Sequence, residues 1–381
     1  MPRILFITAL DPEAVLGGSG TATRSIVENL RTSPIDADLI VRCIHEQPPT
    51  LPRRVRQIVA VLRSLLSPLP SKSLFDLPFG ALRRITSEMT TRKTDLIVFN
   101  GVASYPFVAH RLPHQDALII MHNAEGALYR AQTAKVRRSP IIGRFFRQDL
   151  EKLCRLEQYA LNTVPRVICL SSEDAVKATE VAPCSNLLVL PTSFSYPPYE
   201  PKVQRVPQRP LTLAFLAKYH WWPNTEAVEW LAQNVLDKLA PGSVRVHLYG
   251  PGAEKFQQRH PLIIAKGPVA HLSQIWAETD LFICPMVSGS GINIKFIEAL
   301  YNRQPILATS FTQRGLEPVN DPAVRFLDDP DDWAVFLSSD DAIRLAQRRP
   351  SAATSCRFSQ SSAASKLAQF LADKTTDKAE V

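Results

Sequence analysis

DLFICPMVSGSGINIKFIEALYNRQP, residues 280–305, opens with a strand-like apolar run from Leu281 to Pro285. A turn with two glycines follows, Ser288-Gly289-Ser290-Gly291, and a helix is predicted to start near Asn293 with Lys295 and Glu298 in its first turns. A second apolar run, Pro305-Ile306-Leu307-Ala308, begins soon after. Strand, glycine turn, helix, strand is the unit that places an anion at a helix N-terminus. Glycine lets the backbone N–H groups from Gly289 through Ser290, Gly291, Ile292 and Asn293 approach phosphate oxygens closely. Lys295 adds a full charge, and Glu298 can accept hydrogen bonds from a pair of sugar hydroxyls. An ordinary βαβ crossover carrying a surface Lys–Glu pair at i,i+3 spacing is the competing reading of these residues taken alone.

The remaining composition narrows the choice. A chain of 381 residues is long enough for two domains, and 45% apolar content can fill their cores. The net charge of +8 favours anionic partners such as nucleotides or an acidic membrane surface. Cys43, Cys154, Cys169, Cys184, Cys284 and Cys356 form no C-x-x-C pair and no metal-ligand spacing, which suits reduced core thiols in a cytoplasmic protein. No run of 18 apolar residues is present, so no transmembrane helix is expected.

Outward from the decisive stretch, short apolar runs alternate with helical spacing. Ile4 to Thr8, Asp38 to Val41, Asp95 to Asn100, Ala117 to Met121 and Pro165 to Leu170 read as strands. Thr21 to Leu30 places Ile26, Val27 and Leu30 on one helical face, and Gln148 to Thr163 reads as a long helix. Continuous apolar strands separated by helices predict a parallel, doubly wound sheet. Prolines between Pro191 and Pro210 interrupt the pattern, and it restarts with strands at Leu211 to Leu216 and Val244 to Tyr249 around a helix at Asn224 to Leu239. The expected organisation is therefore α/β, with two Rossmann-like doubly wound domains at residues 1–195 and 196–345, then a helical segment and tail at 346–381.

The order of pieces in the second half resembles the nucleotide-sugar domain of the retaining family 4 glycosyltransferases, the group 1 type with the GT-B fold. Those pieces are Phe215-Leu216-Ala217-Lys218, Pro223-Asn224, Leu248-Tyr249-Gly250, Gly267-Pro268-Val269 and residues 280–305. In the first half, Gly17-Gly18-Ser19-Gly20 after the first strand resembles the family's N-terminal glycine loop, and His122-Asn123-Ala124-Glu125 resembles its strand-end histidine segment. The resemblance covers roughly residues 3 to 345. It implies two domains facing a cleft, with an acceptor-binding N-terminal domain and a donor-binding C-terminal one. It implies a UDP- or GDP-sugar as donor substrate, no bound cofactor and no metal.

By the same resemblance, Glu298 contacts the ribose, Lys295 and Lys218 meet the diphosphate, and His122 hydrogen-bonds the transferred sugar. Gly18 and Gly20 fall where the loop approaches diphosphate and acceptor, Gly250 belongs to the nucleotide-binding set, and backbone near Gly267 and Val269 meets the nucleotide base. The chain departs from the pattern at Ser290 and Asn224, where relatives often carry a glutamate and a basic residue. Arg24 is a further candidate for the phosphate charge, Glu125 for a second cleft carboxylate, and Trp221 and Trp222 for stacking on a sugar or base. The paired acids Asp328-Asp329 and Asp331-Asp332 flank Pro330 and read as a helix start rather than as metal ligands.

Between Leu51 and Lys93 nine Lys/Arg residues and two acids, Asp76 and Glu88, are mixed with Ile58, Val59, Val61, Leu62, Leu65 and Leu66. A second cluster joins Lys135, Arg137, Arg138, Arg144 and Arg147 to Ile141, Ile142, Phe145 and Phe146. Both suit helices lying on an anionic bilayer, so peripheral contact with the inner face of the cytoplasmic membrane is expected; the family resemblance implies a glycan or polyprenyl-linked acceptor. No nucleic-acid signature appears. Two other functions stay open: a GT-B sugar-nucleotide epimerase, and a non-catalytic partner that binds a sugar nucleotide or glycan.

Overall fold

The computed structural model describes residues 2–9, 12, 18–43, 52–75, 94–107, 116–134, 140–184, 186–201 and 206–373. The chain divides into two compact units, Met1–Pro191 with Ala363–Val381 and Thr192–Ser362.

Each unit is built on a six-stranded parallel sheet. In the N-terminal unit the strands are β1 (Arg3–Thr8), β2 (Asp38–Cys43), β3 (Leu96–Asn100), β4 (Asp116–Met121), β5 (Arg166–Cys169) and β6 (Leu187–Val189). Their order is β2-β1-β3-β4-β5-β6. The connecting helices are α1 (Gly18–Thr32), α2 (Arg53–Leu65), α3 (Ser71–Phe75), α4 (Glu125–Ala134), α5 (Pro140–Thr163) and α6 (Ser172–Val181). The central strands carry continuous apolar runs because helices cover both faces of the sheet; Phe6, Ile97, Phe99 and Ile119 are buried.

The C-terminal sheet comprises β7 (Leu211–Leu216), β8 (Val244–Tyr249), β9 (Ile263–Gly267), β10 (Leu281–Cys284), β11 (Ile306–Ala308) and β12 (Val324–Phe326), in the order β12-β11-β10-β7-β8-β9. Its helices are α7 (Trp222–Asn234), α8 (Leu272–Glu278), α9 (Ile294–Tyr301), α10 (Pro330–Ser338), α11 (Asp340–Ala346), α12 (Ala352–Cys356) and α13 (Gln360–Ala372), the last running on into the other unit. Phe215, Leu231, Ile283 and Trp333 lie in one buried layer, and Phe282, Phe296, Leu300 and Ile306 in the layer on the other face.

Most strands fall where apolar runs predict them. The strands without a strong signal are β6, β9 and β12, and all three are edge strands. An edge strand is half-solvated, so it needs no long apolar run. A second difference concerns the first glycines: the helix expected from Thr21 begins at Gly18. Gly18 and Gly20 therefore form the first turn of α1 instead of a loop, with Gly20 buried. Asp329 caps α10 through its side chain, as a helix-start acid should.

The segment carrying α2 and α3 is fastened by one carboxylate. Buried Asp149 on α5 accepts from Ser64 Oγ at 2.8 Å, Ser71 N at 2.7 Å, Ser71 Oγ at 2.6 Å and Tyr129 Oη at 2.8 Å. Lys152, one turn along α5, donates to the Ser64 carbonyl and to that of Ser67, satisfying the C-terminal end of α2. Among the described residues no helix is long and apolar enough to cross a membrane.

Candidate functional site

In a doubly wound sheet, ligands sit beyond the carboxyl ends of the strands where strand order reverses. In the N-terminal unit that point lies between β1 and β3; in the C-terminal unit it lies between β7 and β10. The predicted residues gather at these two points.

At the first, neighbouring strands β1, β3 and β4 end in Thr8, Asn100 and, one residue on, His122. Asn100 Nδ2 donates to Thr8 Oγ1 and to Thr23 Oγ1, both at 3.1 Å. Its Oδ1 therefore faces His122 Nε2, 2.7 Å away. The ring carries its proton on Nε2, and Nδ1 is left as the acceptor. Thr23 Oγ1 in turn donates to the Ser19 carbonyl at 2.9 Å, so one network ties His122 to the first turn of α1 that holds Gly18 and Gly20. Burial lowers the His122 pKa to about 4; Glu125 opposes that shift and Lys72 adds to it. The imidazole is neutral throughout the physiological range.

Glu125 does not stand as an uncommitted carboxylate. Its side chain is ion-paired with Lys72, and its N–H donates to Glu157 Oε1 at 2.7 Å. Glu157 also accepts from Gly126 N at 3.1 Å, and Asp174 accepts from Ala124 N at 2.8 Å. The first N–H groups of α4 are thus capped by buried acids from α5 and α6. Burial raises the pKa of both. Arg24 donates to the Pro12 carbonyl at 2.9 Å.

At the second point, the turn after β10 and the start of α9 carry Gly289, Ser290, Gly291, Ile292 and Asn293, with Asn293 as the N-cap position. Gly289 has φ +139° and Gly291 φ +64°, backbone that side chains with a Cβ rarely adopt. Three elements hold this turn. Ser288 Oγ donates to Glu226 on α7. Arg314, after β11, donates from Nη2 to the Gly291 carbonyl at 2.9 Å. Ile292 packs into the core beneath.

Lys295 lies one residue into α9. Its Nζ donates to Asn224 Oδ1 at 2.9 Å, lies 3.7 Å from Met286 Sδ and sits 5.4 Å from the centre of the Phe215 ring. Desolvation there lowers its pKa to about 8, and the positive charge of Arg314 adds to the lowering. Asn224, the departure from the expected basic residue, thus anchors Lys295; its Nδ2 also donates to the Lys218 carbonyl at 2.8 Å. Lys218 itself is exposed.

Glu298, one turn further along α9, accepts from Tyr196 Oη at 3.0 Å. Tyr196 packs edge-on against Tyr301, with ring centres 5.5 Å apart. Gly250 is dictated by packing: a Cβ there would lie 2.0 Å from the Ala217 carbonyl oxygen. Gly250 N donates to the Gly267 carbonyl at 2.7 Å, which aligns the ends of β7, β8 and β9, and Val269 packs half-buried just beyond. Trp221 is 40% exposed at the start of α7, with Trp222 beside it at 6.2 Å between ring centres. Among the described residues no group of three or more His, Cys, Asp or Glu side chains is arranged to hold a metal ion.

Lys295 and Arg314 thus flank a glycine turn at a helix start, with the Glu298 carboxylate one turn further on. Residues 210–338 match the family model for group 1 glycosyl transferases. That match lies within the unit holding the glycine turn, Lys295 and Glu298. No curated protein matches the sequence. Among solved structures, sucrose-phosphate synthase from Thermosynechococcus elongatus is similar at 15% identity and a TM-score of 0.64, over 97% of this chain and 98% of that one. HepE of Anabaena, solved with UDP-glucose, is similar at 14% identity and a TM-score of 0.63, over 97% of this chain and 99% of that one. The lipopolysaccharide outer core galactosyltransferase WaaB follows at 12% identity and a TM-score of 0.57, over 97% and 99%. These likenesses establish the fold as the two-domain GT-B type.

Sequence reading singles out Lys295, Glu298 and His122 as candidates because each lies beyond an apolar strand. It misses Asn100, Tyr196, Glu226 and Arg314. No local pattern marks these four; only the sheet order brings them to their partners.

Proposed function

We propose that the protein is a metal-independent glycosyltransferase that moves a hexosyl group from a UDP- or GDP-sugar to a glycan or polyprenyl-linked acceptor, with retention. The carrying observation is the overlap of the group 1 match with the unit that holds the glycine turn, Lys295 and Glu298. The UDP-glucose bound by HepE and the lipopolysaccharide named for WaaB support a nucleotide-sugar donor and an envelope or exopolysaccharide acceptor.

In this reading, breaking the bond between the anomeric carbon and the diphosphate leaves negative charge on the leaving group. The N–H groups from Gly289 to Asn293, Lys295 and Lys218 stabilise that charge. A charge-assisted hydrogen bond contributes about 1.5–3 kcal/mol, so each such group changes turnover by roughly one to two orders of magnitude. Glu298, oriented by Tyr196, accepts from the ribose hydroxyls. Backbone near Gly267 and Val269 meets the base, with Gly250 in the same nucleotide-binding set. His122 accepts from a sugar hydroxyl through Nδ1, and Gly18 and Gly20 serve the N-terminal unit's own substrate contacts.

Peripheral membrane contact is supported by α2. Val55, Ile58, Leu62 and Leu65 recur at helical spacing and are all exposed, Ile58 at 60%, with Leu66 next to them at 94%. Arg54 is exposed on the same helix. Arg56 and Arg63 instead donate to the Phe75 and Leu74 carbonyls. An apolar stripe turned to solvent beside basic residues suits the interface of an anionic bilayer. The rest of the basic stretch, residues 76–93, and Lys135, Arg137 and Arg138 lie outside the described residues. An inner-face cytoplasmic location belongs to the same proposal.

The test is a panel of UDP- and GDP-sugars with and without membrane extract, following released nucleoside diphosphate and sugar in the lipid phase. Acceptor-dependent release supports transfer. Conversion of the sugar while still attached to its nucleotide favours an epimerase, and binding without turnover favours a non-catalytic partner.

A further inference from the structure

We infer that Arg314 is a third cation for the donor's diphosphate, alongside Lys295 and Lys218, seated against the glycine turn. The inference rests on the donor reading above and adds to it a residue 19 positions beyond Lys295, outside the strand–turn–helix unit.

Three observations carry it. First, the Arg314 guanidinium lies against the turn: Nη2 donates to the Gly291 carbonyl at 2.9 Å. A Cβ added at Gly289 would sit 3.4 Å from Nη2 and 3.6 Å from Nη1. Both terminal nitrogens thus border the backbone expected to receive phosphate. A methyl group at position 289 would meet both nitrogens at ordinary van der Waals distance. Second, the guanidinium is held flat from behind, with its central carbon 4.2 Å from the centre of the Phe311 ring. Stacking fixes the plane of the fork at little entropic cost, which suits two-point recognition of a phosphate. Third, the positive charge of Arg314 is felt by Lys295, so the two cations share one locality. Two cations brought together in a partly desolvated place repel one another, and the fold retains them. A dianionic group between them would remove that repulsion.

The two cations also divide the task. Lys295 is tethered to Asn224 and packed on Phe215, so it offers a point charge that depends on pH. Arg314 offers a planar fork whose charge does not titrate in the working range.

The experiment measures binding of UDP, UMP and uridine to the full chain by calorimetry, with GDP, GMP and guanosine instead if the donor screen selects guanine. Arg314→Gln removes the charge and also shortens the side chain past the Gly291 carbonyl, so the uridine control and Arg314→Lys are what separate charge from turn support. We expect Arg314→Gln to weaken UDP by about tenfold to a hundredfold, leaving uridine unchanged within about twofold. Arg314→Lys should recover part of the loss. Undiminished UDP binding by Arg314→Gln overturns the inference. So does equal loss of UDP and uridine, which would mark a purely structural residue. If the wild type binds none of these nucleotides, the donor reading itself fails, an outcome distinct from wild-type binding that ignores Arg314.

Discussion

The two switch points are built on the same skeleton, yet one is neutral and the other positively charged. In the N-terminal unit, Thr8, Asn100, Thr23 and His122 form a neutral network of hydrogen bonds at the ends of three adjacent strands. In the C-terminal unit, Lys295 and Arg314 gather positive charge around a glycine turn. Parallel strands with crossover helices fix where a site can form in both sheets. The residues that arrive from neighbouring elements fix what each site can bind. A neutral imidazole with a set tautomer suits a sugar hydroxyl, whereas clustered cations suit a diphosphate.

The largest effect that would break this comparison is expected at the cationic site. Lys295→Met should lower donor turnover by about two orders of magnitude, measured as nucleoside diphosphate release. The same substitution removes a desolvated charge, so the nucleotide-free protein should become more stable, by roughly 1–2 kcal/mol in urea unfolding. Unchanged turnover would take Lys295 out of the site and leave the two switch points alike.

Next in size is Asp149→Ala in the N-terminal unit. Three donors lose their acceptor and Ser64 Oγ keeps only the Leu69 carbonyl, so we expect about 2–4 kcal/mol of lost stability with faster amide exchange across α2 and α3. Exchange that rises equally in the C-terminal unit would show that the two sheets unfold as one.

His122→Ala should reduce turnover by about tenfold, less than the loss at Lys295, because it removes one neutral hydrogen bond. Asn100→Ala should act indirectly. It frees the ring to exchange tautomers, visible in imidazole nitrogen chemical shifts, with a smaller loss of activity.

The pH windows sharpen the contrast further. His122 has its pKa lowered from 6.5 to about 4, so the unfolded chain binds the extra proton between those values. Its contribution is therefore complete above about 6.5 and is lost as pH falls through about 4. Lys295 has its pKa lowered from 10.5 to about 8. Its burial cost is present below about 8 and is relieved as pH rises toward 10.5, while diphosphate affinity falls over the same rise. Amide exchange measured separately for peptides of each unit should show these two windows, and Lys295→Met should erase only the upper one.

The smallest expected effect concerns the solvent-facing stripe of α2. Ile58→Glu should weaken binding to vesicles containing anionic lipid by several-fold without changing turnover on a soluble acceptor. Equal binding by the variant would remove α2 as the contact.

The sequence by itself made most of the strands legible and singled out three polar residues as candidates. Leu281–Cys284 is a strand because it is continuously apolar, and Asn293 begins a helix because the glycine turn precedes it. Lys295 and Glu298 are legible for the same local reason, and His122 because it follows β4 directly. The tertiary structure alone decided what those residues touch. Asn224 reaches Lys295 from 71 positions away, and Tyr196 reaches Glu298 from 102. Arg314 reaches Gly291 from 23 positions away. Apolar periodicity records which face of an element is buried, but sheet order sets which side chains meet, and that order comes from packing summed over the whole domain. Asn224 therefore reads in the sequence as a missing charge, and in the fold as the hydrogen-bond partner that holds Lys295 in position.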